Sequence, residues 1–503
     1  MTVVNFKFIT FTSALLAYSV SVLASPVNDT LSAKKLYKEH CQSCHGVDRL
    51  GGMGPALFPE NLSRLRKNKA IKVISNGRAA TQMPAFSKTL SKDEITKLID
   101  YIYTPPKIVP KWDLADIKAS HIQHFQQSKL PNTPQFDADP MNLFIVVELG
   151  DHSATLLNGD TFTPITRFKT RRALHGGPKY SPDGRFVYFA SRDGWISKYD
   201  IYNMKTISEV RAGINTRNLA VSSDGKYAIV GNYLPHSIVI LDTNTLQPIK
   251  VVNVSDKNGI SSRVSAVYNA PPRNSFIVAL KDVKEAWEIS YKNNTYFSIK
   301  RITTQDYLDD FFFDPDYKNL IGTSREKHNG EVINLDAGKK IATIKMDGMP
   351  HLGSGITWDY KGRQVFASPN IKEGLVSVID MTNWQVIKEI KTDGPGFFMR
   401  SHSKSKYAWV DVFFGPHKDE MHIIDKSTLK IVKTLIPAPG KTSAHVEFTK
   451  DGKYVLLSIW DNDGAIVVYD ANTLKEIKRI PMKKPSGKYN VYNKTHYDRG
   501  TSH

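Results

Sequence analysis

Cysteine is nearly absent. The chain has two in 503 residues, Cys41 and Cys44, three positions apart. That excludes a disulfide framework, a second site built on paired thiols and a multi-cysteine zinc or iron–sulfur centre. Long apolar runs are also missing, with one exception near the N-terminus, so no segment beyond it is expected to cross a bilayer. Acidic residues are outnumbered, 49 to 68 basic ones, which gives a formal charge of +19. The basic residues are scattered and form no long runs. They predict a solvated basic surface that attracts anionic partners, and no motif for nucleic-acid recognition accompanies them.

The exception is residues 1–24. Lys7 precedes a mostly apolar stretch, and Val22-Leu23-Ala24 offers small residues for cleavage. This reads as an export signal, with the mature chain starting near Ser25, and it predicts a periplasmic protein that is not integral to the membrane.

The two cysteines lie in Cys41-Gln42-Ser43-Cys44-His45. C-x-x-C-H is the attachment pattern of c-type heme: both sulfurs bond the porphyrin and the adjacent imidazole ligates iron. His45 is therefore one axial ligand. Met83, in a loop before Pro84, follows at the spacing usual for small class I cytochrome c domains and is preferred over Met53 as the other. Apolar residues at helical spacing predict helices over 31–39 and 92–103. Ser91 and Glu94 form a capping box for the second. Residues 25–106 are read as an all-α cytochrome c domain, and 107–140 as a linker with a helical stretch over 115–127. His121 and His124 share a face of that stretch and are read as solvated.

From residue 141 to 503 the character changes. Short runs rich in Val, Ile, Tyr and Phe alternate with Asp-Gly turns, an all-β pattern. YSPDGRFVY at 180–188 recurs as VSSDGKYAI at 221–229 and FTKDGKYVL at 448–456. A second element, such as IVILD at 238–242, MHIID at 421–425 and IVVYD at 466–470, ends in an Asp that opens a turn often containing Thr-Leu. A period of roughly 40–48 residues with four short strands is a propeller blade. Counting residues 142–170 and 267–301 as degenerate copies predicts an eight-bladed β-propeller.

His175, His351, His402 and His445 stand at or just before the start of inner strands in different blades. Equivalent positions in a ring face one another, so the four are expected to converge. Arg171, Arg172, Arg217, Arg263 and Arg400 fall near the same edges. Guanidinium groups gathered there suit a ligand with several carboxylates.

A C-x-x-C-H domain followed by such a propeller resembles the cytochrome cd1 nitrite reductase family, over nearly the whole mature chain. The segments around His175, Gly213–Arg217, Gly231–Pro235, Thr245–Pro248 and Gly487–Asn493 carry the resemblance. It implies a non-covalent heme d1 in the propeller, His175 as proximal iron ligand and Arg217 among its carboxylate anchors. Two features depart from the reductases. Asp309 stands where a second distal His is expected beside His351, and His445 is placed to occupy the sixth position on the d1 iron.

Both departures are similar to the dihydro-heme d1 dehydrogenase branch, which turns a propionate of the tetrapyrrole into an acrylate. The resemblance implies His351 as base, His175 and His445 as iron ligands, Arg171, Arg217, Arg263 and Arg400 as anchors, and heme c as electron outlet. Implied partners are the tetrapyrrole, a periplasmic electron acceptor and other heme d1 maturation proteins or nitrite reductase. Nitrite reduction to nitric oxide and a non-catalytic heme d1 carrier are the alternatives.

Overall fold

The structure, a computed structural model, describes Met1 and residues 26–51, 54–63, 65–77, 83–292, 296–324, 329–346 and 348–496. The export segment, Met53 and the residues just before Met83 lie outside the described residues.

The N-terminal part is helical. Helices α1 (Pro26–His40), α2 (Gln42–His45), α3 (Pro59–Leu62), α4 (Lys67–Asn76) and α5 (Lys92–Tyr103) enclose one apolar cluster. The predicted capping box is present: Glu94 N–H donates to Ser91 Oγ at 3.3 Å, and Ser91 N–H donates to Glu94 Oε2 at 2.8 Å. Ile95, Leu98, Ile99 and Ile102 of α5 are buried, one face of a 3.6-residue period. Arg49 ties the loop after the heme motif to the end of α5, donating to the Tyr101 and Thr104 carbonyls at 2.6 and 3.0 Å.

The connector differs from its sequence reading. Helix α6 (Leu114–Ala119) is shorter than the expected 115–127. Ile122–Gln123 instead forms an edge strand paired antiparallel with Ser208 and Glu209 of a blade. His121 Nε2 meets the Thr245 carbonyl at 2.8 Å, and His124 Nε2 meets Glu209 at 3.1 Å. Neither histidine is simply solvated, because the propeller edge overrides local helical propensity here.

Eight antiparallel sheets form the ring, seven of four strands and one extended to five by Ile122–Gln123. The repeat has a physical basis in two turns. In the first, Ser181, Ser222 and Thr449 hydroxyls bond Asp183, Asp224 and Asp451, and the following Gly184, Gly225 and Gly452 take φ of 74°, 70° and 74°. In the second, Asp242, Asp425 and Asp470 accept the backbone N–H of Thr245, Thr428 and Thr473. Leu246, Leu429 and Leu474 then take φ of 57°, 55° and 58° and bury their side chains.

Residues 142–170 look degenerate because their blade has three local strands, Leu143–Glu148, Ser153–Asn158 and Pro164–Lys169. Its innermost strand is Pro485–Asn490, from the other end of the chain. Phe144 pairs with Asn490 and Val147 with Gly487 across that seam. The segment read as degenerate at 267–301 is a complete four-stranded blade, Val264–Ala270 to Ile299–Thr303.

The helical part rests on the ring through a small apolar cluster of Ala56, Phe58, Ile214 and Leu234. Arg211 anchors that contact, donating to the Leu50 carbonyl at 2.6 Å and the Asp193 carbonyl at 2.9 Å, with Trp112 stacked under its guanidinium. Truncation before Pro485 is expected to abolish folding of the ring, since it bares the Leu143–Glu148 edge. Size-exclusion chromatography and circular dichroism check this; a monomer with a native β spectrum contradicts it.

Candidate active site

Two sites follow from this frame. The first surrounds Cys41, Cys44 and His45. Tyr37 Oη donates to the His45 and Gly46 carbonyls at 3.1 and 2.7 Å, fixing the turn that carries the motif. His45 Nδ1 donates to the Pro55 carbonyl at 2.8 Å, which leaves Nε2 as the ligand nitrogen. Both cysteines are half-buried free thiols. Cys41, Met83 and Phe86 each pack against the helical cluster. Donor set and setting fit a covalent heme with a His and a thioether ligand.

The second site lies at the centre of the ring, where inner strands converge. His175 precedes the strand Lys179–Tyr180, and two left-handed glycines follow it, Gly176 at φ 80° and Gly177 at φ 68°. A side chain at either glycine meets Asn218 or Tyr489 within 3 Å, so glycine is required for the close approach. His175 Nδ1 donates to the Arg217 carbonyl at 2.6 Å, and Arg217 Nη1 donates to its Nε2 at 2.7 Å. The Nδ1 hydrogen bond fixes the direction of the ring, and in this structure the Arg217 guanidinium caps its Nε2.

His351 Nδ1 donates to the Phe397 carbonyl at 2.7 Å, and its ring stacks on Phe397 at 4.1 Å. Its Nε2 lone pair faces Asp310 Oδ2 at 3.9 Å. Asp310 is held by Gly353 N–H at 2.7 Å and the Tyr268 hydroxyl at 3.4 Å. Burial pushes the imidazole pKa below its usual value, partly opposed by Asp310, so the ring is neutral at pH 7.

His445 is 2 % exposed, at φ 48°, and its Nδ1 is buried with no hydrogen-bond partner among the described residues. Burial, with Lys488, Arg400 and Lys494 nearby, holds its pKa well below the usual range. A neutral buried imidazole with a spare nitrogen is what an iron ligand requires. Phe398 and Tyr489 flank it at 4.8 and 5.2 Å. Phe397, Phe398, Phe413, Phe414 and Trp460 continue as a chain of ring contacts, an apolar wall suited to a macrocycle.

Beside this wall, buried positive charge exceeds negative. Arg400, Lys488 and Lys494 surround Glu447 and Asp411, with Lys179 beside Arg400. Arg400 Nε is buried with no hydrogen-bond partner among the described residues. Burial and the neighbouring Arg400 push Lys494 down to about 7 and Lys179 down to about 8. Basic groups in excess of their carboxylates, Arg400 and Lys488 buried and Lys179 and Lys494 half-buried, fit an anionic ligand.

Not all sequence candidates join this centre. Arg171 is taken up by a bidentate pair with Glu209 on an outer strand, at 2.9 and 2.8 Å, and stacks on Trp195. Arg263 is neutralised by Asp282 and lies over Tyr233. Arg172 pairs with Asp193 at 3.7 Å and acts electrostatically on His45, so it belongs to the heme c side. His402 follows the strand Met399–Arg400 instead of preceding it; it packs on Phe448 at the opposite end of the strand. The carboxylate facing His351 is Asp310, whereas Asp309 pairs with Lys281. Asp310, Asp411, Tyr489 and the buried lysines were missed. One more lysine carries no signal in so basic a chain, and the closing strand lacks the Asp-Gly mark of the repeat.

Residues 138–494 match the cytochrome D1 heme domain family, and residues 28–102 match the family described as cytochrome C oxidase, cbb3-type, subunit III. A dihydro-heme d1 dehydrogenase of Pseudomonas aeruginosa is 58% identical over 468 residues, 93% of this chain and 95% of that protein. The chain belongs to the dihydro-heme d1 dehydrogenase family. A nitrite reductase of Stutzerimonas stutzeri is 27% identical over 95% of this chain and 96% of its own length. The solved structure of dihydro-heme d1 dehydrogenase NirN in complex with DHE superposes with a TM-score of 0.91 at 58% identity, covering 92% of this chain and 100% of that one.

The lysine values give a pH prediction. With Lys179 pushed down to about 8 and Lys494 to about 7, both lose charge as pH rises through that window, so affinity for a carboxylate-bearing tetrapyrrole is expected to fall across it. Binding titrations at about pH 6.5 and 9 check it; equal affinity at both contradicts the role of these lysines.

Proposed function

We propose that the protein is an exported c-type cytochrome that oxidises one propionate of dihydro-heme d1 to an acrylate and passes the electrons out through heme c. The observation that carries this reading is His445: a buried, neutral imidazole with a spare nitrogen, on the inner strand of a different blade from His175. An iron held from both faces has no open position for nitrite, which disfavours the reductase alternative. The 58% identity to a dihydro-heme d1 dehydrogenase, against 27% to a nitrite reductase, points the same way.

In this reading His175 and His445 hold the substrate iron, while Arg217 and Arg400 take its carboxylates together with Lys179 and Lys494. Propionate to acrylate removes two hydrogens, as two protons and two electrons. His351 accepts one proton at Nε2 from a carbon of the propionate side chain, Asp310 stabilises the resulting imidazolium, and the second proton, from the adjacent carbon, is released to solvent as the two electrons leave. The phenylalanine wall excludes water from the reacting side chain. Tyr489, whose hydroxyl is pushed up to about 12 chiefly by burial, stays protonated and can donate a hydrogen bond to a substrate carboxylate. Cys41, Cys44, His45 and Met83 would hold heme c, which would supply a one-electron acceptor. Arg172, three residues before His175, acts electrostatically on His45, so the chain segment that carries His175 also reaches the heme c side.

Residues 1–24 support export to the periplasm, and no helix among the described residues is long and apolar enough to cross a membrane. A periplasmic electron acceptor, and exchange of the product with other heme d1 maturation proteins or nitrite reductase, complete the proposal.

Product mass after anaerobic incubation with dihydro-heme d1 tests it. Wild type is expected to yield a species lighter by two hydrogens. His351→Ala should keep binding but lose turnover by about 100-fold or more. Normal turnover in that variant removes His351 as the base. Asp310→Asn is expected to lower the rate and shift the acid limb of kcat/KM to lower pH, because the carboxylate raises the His351 pKa. An unmoved acid limb contradicts the pairing.

A further inference from the structure

His445 is where its strand loses register. Ala444 pairs with Ser458 and Val446 with Leu457, so His445 bulges out of the ladder. A bulge re-aims a side chain, and here it does so with φ at 48°, a conformation that a residue with a Cβ adopts only when its surroundings hold it.

Two side chains hold both peptide groups of His445. Asp411 Oδ2 accepts the His445 N–H at 3.3 Å. Lys488 Nζ donates to the His445 carbonyl, and at 2.8 Å to Ser458 Oγ, the partner residue beside the bulge. Both side chains are fully enclosed, at 0 % exposure. They come from different places: Asp411 ends the strand Tyr407–Asp411, and Lys488 lies in the closing strand Pro485–Asn490.

The same carboxylate reaches His351. Asp411 Oδ1 accepts the N–H groups of Phe397 and Phe398 at 2.7 and 3.0 Å, and the Phe397 carbonyl in turn accepts His351 Nδ1–H. Stability alone does not call for two buried ionisable groups, since apolar residues of similar volume serve as well. A fixed direction for two imidazoles does.

We propose that Asp411 and Lys488 are positioning residues, a donor–acceptor clamp on the His445 peptide groups that presents its imidazole to the tetrapyrrole iron. The proposal rests on the reading of His445 as an iron ligand. It locates ligand geometry in two residues that touch neither the iron nor the reacting side chain.

The test uses the full-length protein with heme c attached, loaded with oxidised heme d1. Spin state and ligation of the d1 iron are read by electron paramagnetic resonance and magnetic circular dichroism, with the heme c signal as internal standard. His445→Ala sets the reference for a lost ligand. Asp411→Asn and Lys488→Gln are each expected to keep the heme c signal and to weaken heme d1 binding by less than about tenfold. Each should nevertheless shift the d1 iron from low spin toward the high-spin state of His445→Ala.

Low-spin d1 iron in both variants, with loss of it in His445→Ala, overturns the clamp and leaves the ligand reading standing. Low-spin iron in His445→Ala itself overturns the ligand reading, and the clamp with it. The two variants act on either side of one residue, so misfolding of one leaves the other decisive.

Discussion

Everything at the centre of this molecule depends on one strand pairing. Pro485–Asn490 closes the ring against Leu143–Glu148, and the channel exists only because that seam is made. The same six residues bring Lys488 to the His445 carbonyl and Tyr489 to the edge of the glycines that follow His175. Closure and site assembly are therefore one event. A propeller that fails to close loses not only its last edge but the back wall of its ligand cavity.

Electrostatics explains why the cavity wants a particular occupant. Arg400 and three lysines lie around Glu447 and Asp411, and burial pushes all three lysines down from their ordinary values. Folding such a set without its counter-charge is costly, and a ligand with several carboxylates restores the balance. The apolar Phe wall and the nearby cations thus sort the ligand by two properties at once, a flat hydrophobic body and an anionic rim. His175 and His445, on different blades, add imidazole nitrogens suited to a third property, a central iron.

Much of this was legible in the sequence. Cys41 to His45 announces heme c because the chemistry needs those residue types at that spacing. The Asp-Gly and Asp-x-x-Thr-Leu turns announce blades, because each fixes a left-handed residue that few sequences tolerate. His175 and His351 each precede an inner strand, Lys179–Tyr180 and Ile356–Tyr360, as the repeat alone predicts. His402 was misread since it follows its strand, which puts it at the other end. Arg171 and Arg263 were misread because spacing along a chain says nothing about which carboxylate a guanidinium meets first. Asp310, Asp411 and Lys488 were invisible. Their importance comes from groups they hold on distant strands, and no local pattern records that.

The account's central claim is that oxidation of the tetrapyrrole side chain drains into heme c. The most direct measurement is an anaerobic titration of the fully oxidised protein with limiting dihydro-heme d1, following heme c reduction optically and acrylate product by mass. Two hemes c reduced for each acrylate formed is the predicted result. Heme c that stays oxidised, or no acrylate while added nitrite is converted to nitric oxide, would contradict it.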